Sequence, residues 1–290
     1  MSKFLQSTIA VTGASGHLGR RVVELLLEAG ARHVIAITRD PSKLAAFAAR
    51  GVDVRRGSFD DPASLDAAFA GAQRALIIST DTVVNRARYH INAIDAAERA
   101  GVEHIAYTSL TSPYPDPTNP IADSHFWTEA RLFAGKVDWS ILRNNQYSDY
   151  LIPGAQHAVG SGTLYHAAGK GARAFVTRED CAQAAAAALL GAEGKHVFDI
   201  SGPTALTGDE LAATYTRLTG KPVEAVPVDA ASFAAGLEHG GVPADMAGIL
   251  ARFDTDTAKG YLGIVTDAVE HLTGRAAQPI DAVVAPALRG

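Results

Sequence analysis

The segment Gly13-Ala14-Ser15-Gly16-His17-Leu18-Gly19 stands directly behind the apolar run Thr8-Ile9-Ala10-Val11-Thr12. A run so apolar has no face for water, as expected of a parallel strand covered on both sides. Leu18, Val22, Val23, Leu25, Leu26 and Leu27 then recur at helical spacing until Gly30, which suits a helix stop. The three glycines therefore lie at a strand-to-helix turn, where their chemistry is specific. The first permits the tight turn, the second lets backbone N–H groups approach a pyrophosphate, and the third lets helix and strand pack closely. The helix N-terminus adds its partial positive charge to those donors. Gly13, Ser15, Gly16, His17, Leu18 and Gly19 are the expected pyrophosphate cradle.

The same unit recurs through the first half. His33 to Thr38, Val52 to Val54, Ala75 to Ile78, His104 to Tyr107 and Val137 to Leu142 read as further strands. Asp40-Pro41 and Asp61-Pro62 read as helix caps followed by proline at the first helical position, and a long helix is expected from about Val83 to Ala100. Strands alternating with helices predict an α/β fold: a Rossmann-type, doubly wound parallel sheet. After about residue 143 the alternation loosens into a smaller, mostly helical C-terminal lobe. Residues 1–150 are expected to form the dinucleotide-binding domain and residues 151–290 the substrate-binding lobe, with a segment near 195–205 returning to the sheet. Thr207-Gly208-Asp209-Glu210 is a capping box. The piece Ser112 to Pro117, with three prolines, reads as an exposed active-site loop rather than a domain linker.

The end of the second strand selects among dinucleotides. An acidic residue there binds the ribose 2′-hydroxyl of NAD, whereas an arginine suits the 2′-phosphate of NADP. Here the strand ends Ile37-Thr38-Arg39, and Asp40 is engaged in capping. Arg39 favours NADP(H), with NAD(H) left open as a second cofactor. Ser79 and Thr80 leave the fourth strand, and Thr108 and Ser109 the fifth, at the carboxyl edge where ligands of open α/β sheets lie.

The glycine pattern, Ala36-Ile37-Thr38-Arg39, His104 to Leu110 and Leu142-Arg143-Asn144-Asn145-Gln146-Tyr147 resemble the NmrA-like group of atypical short-chain dehydrogenases/reductases. Within it the likeness is nearest to the type 2 NAD(P)H:quinone oxidoreductases and the triphenylmethane reductases. It runs from about residue 7 to about 225. The resemblance implies a Rossmann domain with a small C-terminal lobe and a substrate cleft between them. In many of these relatives a lysine stands four residues before a glutamate on the helix preceding the sixth strand; here His125 occupies that slot before Glu129.

Ordinary short-chain dehydrogenases use a Tyr-x-x-x-Lys pair to pass a proton to a carbonyl oxygen. No tyrosine of this chain is followed four residues later by lysine. Hydride addition to a ketone makes a strongly basic alkoxide, whereas addition to a quinone makes a phenolate-like oxygen whose acid has a pKa of about 10. Water can protonate the latter. The sequence therefore points to an NADPH-dependent reductase of quinones or similar conjugated aromatic acceptors. Tyr147 is the candidate for packing on the substrate, Asn144 for orienting substrate or nicotinamide, and His125 for donating a proton near neutral pH. A different class stays open: a non-catalytic NAD(P)-binding redox sensor that signals through a protein partner.

The net charge of −5 and the absence of any Lys/Arg run argue against a nucleic-acid partner. No metal site is expected, because the ten histidines are scattered and Cys181 is the only cysteine. Residues 1–6 lack the apolar stretch of a signal peptide, and no run reaches the length of a membrane span. A cytoplasmic protein without a membrane partner is the expectation, and a homodimer is compatible with it.

Overall fold

Strands with two apolar faces must stack edge to edge beneath helices, and the first half of the chain does so. The computed structural model describes residues 3–289. In chain order its elements are β1 (Thr8–Val11), α1 (His17–Glu28), β2 (His33–Thr38), α2 (Ala45–Ala48), β3 (Asp53–Arg56), α3 (Pro62–Phe69), β4 (Arg74–Ile77), α4 (Arg86–Arg99), β5 (His104–Leu110), α5 (Pro120–Ala134) and β6 (Asp138–Asn144). There follow α6 (Leu151–Ser161), β7 (Thr163–His166), α7 (Arg178–Gly191), β8 (Lys195–Ile200), α8 (Gly208–Thr219), β9 (Glu224–Pro227), α9 (Ala230–His239), α10 (Ala244–Ala258), α11 (Ala268–Thr273) and α12 (Asp281–Arg289).

The main sheet has the order β3-β2-β1-β4-β5-β6-β8. The pairings from β3 through β6 are all parallel. The order reverses between β1 and β4, so their carboxyl ends flank the crevice where ligands of such sheets bind. Thr12 holds that crevice open at a fixed width. Its Oγ1 donates to the Leu76 carbonyl at 3.1 Å and accepts from the Ile78 N–H at 2.9 Å.

The chain divides into two compact units. The first comprises residues 1–144, 179–198 and 268–274; the second comprises residues 145–178, 199–267 and 275–290. In the first unit, Leu65, Phe69, Ile94 and Leu132 from α3, α4 and α5 pack on Ile35, Ile77, Ile105 and Ile141 of the sheet. Each such side chain contributes about 1.5–3 kcal/mol on leaving water. Val22, Val23 and Leu26 of α1 and Ala182, Ala185 and Leu189 of α7 are fully buried as well. Arg74, at the start of β4, donates to the carbonyls of Leu189 and Ala192 at 2.7 and 2.6 Å and so satisfies the end of α7. Its burial pushes its pKa down to about 10.

In the second unit, α6, α8 and α12 bury Ala155, Ala158, Leu211, Tyr215 and Val284 together. β7 and β9 form a separate parallel pair, from Thr163 opposite Glu224 to His166 opposite Pro227. The expected capping box opens α8: the Thr207 side chain accepts from the Glu210 N–H, and the Glu210 carboxylate accepts from the Thr207 N–H at 2.8 Å. One boundary moves. α4 starts at Arg86 rather than near Val83, because Asn85 takes the left-handed conformation at φ 58°. Asparagine tolerates that conformation better than other side chains, and the turn it makes points Arg86 into the interior.

Candidate functional site

A cleft of about 290 Å³ opens at the carboxyl ends of β1, β2, β3 and β4. Its floor is the glycine turn. Gly13 has φ +61°, a conformation that disfavours side chains, and Gly16 caps α1 without any side-chain hydrogen bond. No acidic residue sits in the first turn of α1, so the helix N-terminus faces the cleft with its positive end unneutralised. A Cβ on Gly19 would stand 2.4 Å from the Gly13 carbonyl oxygen and 2.8 Å from Ala14 Cα. The third glycine is thus what allows the helix to start so close to the strand.

Gly13, Ser15, Gly16, Arg39, Ser79 and Thr80 line this cleft together. Ser15 and Thr38 share a hydrogen bond of 2.9 Å, and Thr38 Oγ1 accepts from the Asp40 N–H at 3.3 Å. These contacts fix the backbone on both sides of the exposed Arg39. His17, Leu18 and Gly19 lie in the helix behind the turn and do not line the cleft. Thr108 acts one layer back, its Oγ1 accepting from the Ser79 N–H at 2.9 Å. Ser109 faces away: its hydroxyl donates to Glu129 at 2.6 Å, and Glu129 is clamped by two bonds from Arg143 at 3.0 and 2.6 Å.

Sequence reasoning missed the cleft's third wall, Ser58, Phe59 and Asp60. It ended the third strand at Val54, whereas β3 continues to Arg56. Gly57 was the available signal: a Cβ there would stand 2.7 Å from Ile37 Cγ2, so the turn after β3 must hug β2 and point its next residues into the cleft. The loop over residues 112–117, expected beside the active site, does not line this cleft, and only Pro115 and Pro117 of it are exposed.

His125 does not stand where a proton donor should. The ring is buried, with Nδ1 2.7 Å from Tyr107 Oη and Nε2 3.2 Å from Arg86 Nη2. Burial, reinforced by the Arg86 charge and by His90, holds its pKa well below the ordinary histidine range. A neutral imidazole is a far weaker acid than the imidazolium that the sequence expectation calls for, and His125 does not line the cleft. Asn144 is the buried last residue of β6, and its carbonyl accepts from the Thr111 N–H at 3.3 Å. Tyr147 belongs to the second unit. Its half-buried ring stacks on Tyr150 at 5.9 Å, and the Arg178 guanidinium lies 5.4 Å from its centre.

Among the described residues, no group of three or more His, Cys, Asp or Glu is placed to hold a metal ion. Nor is any described helix long and apolar enough to cross a membrane.

A parallel sheet with a glycine-lined turn at its switch point defines a Rossmann-type dinucleotide-binding protein. The NAD(P)H-binding family matches residues 13–191, and the chain belongs to that family, in its NmrA-like branch. It is 40% identical to quinone oxidoreductase 2 of Escherichia coli over 88% of this chain and 89% of that protein. It is 28% identical to the NAD(P)H azoreductase of Xenophilus azovorans over 93% of this chain and 94% of the relative. The crystal structure of the E. coli NADPH-dependent quinone oxidoreductase complexed with NADPH superposes with a TM-score of 0.90 at 37% identity, covering 96% of this chain and 99% of that one. The NADP(H) complex of Citrobacter triphenylmethane reductase gives a TM-score of 0.90 at 34% identity, covering 97% and 100%.

Proposed function

We propose that this chain is an NADPH-dependent oxidoreductase that reduces a quinone or a similar conjugated aromatic acceptor. The observation that carries the reading is the cleft. A glycine turn without side-chain caps and an exposed arginine meet at the switch point of the sheet, in a chain 40% identical to a named quinone oxidoreductase.

The residues present fit NADPH. The missing Cβ atoms of Gly13 and Gly16 leave room for a pyrophosphate against the positive end of α1. Arg39, exposed just after β2, would pair bidentately with the 2′-phosphate. Ser79 and Thr80 would border the ribose on the other wall. When bound, the nicotinamide supplies the hydride. The protein's part is then to hold two planar rings in register and to exclude competing geometry. Asn144 and Tyr147 are proposed for the substrate side, Tyr147 by presenting its ring face.

No proton donor is required of the chain. The sequence has no Tyr-x-x-x-Lys pair, and His125 is buried and neutral. A phenolate-like product oxygen with a conjugate acid near pKa 10 takes its proton from water, while an aliphatic alkoxide does not form without help. The reading extends to a small-molecule substrate in the cytoplasm rather than a nucleic-acid partner, in keeping with a net charge of −5.

The test is steady-state turnover of NADPH and of NADH against quinones, a cationic dye and simple aldehydes. Quinone reduction faster with NADPH, and no aldehyde reduction, is the expected result. Tight NADPH binding with no oxidation by any acceptor would replace the reading with that of a redox sensor.

A further inference from the structure

Behind the Ser79–Thr80 wall of the cleft lies a buried polar cluster: Arg86 and His90 from α4, Tyr107 from β5, and His125 and Thr128 from α5. Its members are all within one unit, and its hydrogen bonds fix the tautomer of both imidazoles. The Thr80 N–H can only donate, and it donates to His90 Nε2 at 3.0 Å. The Arg86 guanidinium can only donate, and it reaches both the Thr80 carbonyl and, at 3.2 Å, His125 Nε2. Both imidazoles must therefore offer a lone pair at Nε2. Being neutral, both carry their proton on Nδ1.

The two Nδ1 atoms converge on one oxygen. Tyr107 Oη is 2.7 Å from His125 Nδ1 and 3.1 Å from His90 Nδ1. It accepts from His125, while the His90 N–H is shared between it and Thr128 Oγ1, also 3.1 Å away. Thr128 in turn donates to the Ser124 carbonyl at 2.6 Å. All four ring nitrogens are then matched, and a proton added to either imidazole at Nε2 would point at another donor.

The consequence falls on Thr80. Both its N–H and its carbonyl are held from behind, by His90 and Arg86, while its other side lines the cleft. We propose that His90 and Arg86, braced by the Tyr107–His125 pair, are positioning residues that fix the Thr80 peptide for the bound cofactor. The proposal rests on the reading that this cleft holds NADPH. It explains why a chain would keep two histidines in a low-dielectric site where neither can titrate near neutral pH: an uncharged imidazole is a rigid ring with an acceptor on one edge and a donor on the other. A carboxamide can supply the acceptor, and a phenyl ring cannot.

Two measurements test it. In the unaltered protein without cofactor, nitrogen NMR of the histidine rings should find His90 and His125 both as the Nδ1–H tautomer. That is the less common form of a neutral histidine, and an Nε2–H tautomer at either ring would overturn the proposal. In the second, NADPH binding and turnover are compared for the full chain, His90→Phe and His90→Gln. Loss of the acceptor should raise the Kd and KM for NADPH about tenfold in His90→Phe, with kcat at saturating NADPH within about twofold. His90→Gln should restore most of the affinity. A purely structural role would lower stability in both variants with no split between KM and kcat. NADPH binding that His90→Phe leaves unchanged would overturn this proposal alone. Failure of the unaltered protein to bind NADPH would overturn the functional reading along with it.

Discussion

Acidification should unfold this protein through three histidines that the native state refuses to protonate. His90, His104 and His125 are all buried. Burial, with Arg86 added, holds His90 well below the ordinary value of 6.5, and His125 likewise with His90 adding to the effect. Burial and then Arg74 push His104 down to about 3. No carboxylate is hydrogen-bonded to any of these rings; their partners are Thr80, Thr128, Tyr107, Arg86 and Ser140. Unfolding returns all three to about 6.5. Below that pH the unfolded chain binds protons that the native state does not, so stability falls as pH falls through 6.5. Each group costs about 1.4 kcal/mol per pH unit. Three of them remove about 4 kcal/mol between about pH 7.5 and about pH 5.5, a large fraction of a typical domain's stability. Asp40, Glu210 and Asp229, whose pKa values are lowered by hydrogen bonds from Ser42, Thr207 and Ser232, start from 3.8 to 4.5 and act below this window. Urea unfolding at the two pH values reads the difference directly, and His90→Gln should remove about a third of it. A change under about 1 kcal/mol, or a variant with the same slope as the unaltered chain, would refute the assignment of neutral buried rings.

Arg39→Ala should lower kcat/KM for NADPH about 10- to 100-fold and leave NADH nearly untouched, as loss of a charge-assisted pair requires; an unchanged NADPH-to-NADH ratio would mean that Arg39 does not read the phosphate. Gly19→Ala, whose Cβ would sit 2.4 Å from the Gly13 oxygen, should weaken NADPH binding more than about tenfold and lower the unfolding midpoint. Gly154→Ala, which meets nothing within 4 Å inside α6, serves as its control and should be neutral or stabilising. Glu129→Gln leaves Arg143 without its anionic partner and should cost about 2–3 kcal/mol in denaturant unfolding; a loss under about 0.5 kcal/mol would show the pair to be a solvated one.

Much of the first unit was legible because its information is local. β2 spans His33–Thr38, as the apolar run implied. The glycine turn, the proline-marked caps at Asp40 and Asp61 and the capping box at Thr207 each concern residues within six positions of one another. The polar cluster was not legible, and α5 shows why. Ser124, His125, Thr128 and Glu129 face inward, while Trp127 and Phe133 are 51% and 49% exposed. That reverses the usual rule that a helix buries its apolar stripe. The inward polar residues are matched by Tyr107, Ser109 and Arg143, which arrive from β5 and β6. A pattern satisfied by partners distant in sequence carries no periodicity of its own, so nothing local announced the burial of His125. Phe59 and its neighbours escaped for a smaller reason: two charged residues, Arg55 and Arg56, disguised the end of a strand.

Hydride transfer itself is the most direct thing to measure. Mixed with a quinone in a single turnover, the purified protein should consume one NADPH per hydroquinone formed. NADPH deuterated at its transferable position should react more slowly by a primary isotope effect. NADPH that binds but is not consumed, or consumption that yields no hydroquinone, would contradict the assignment of this chain as a quinone reductase.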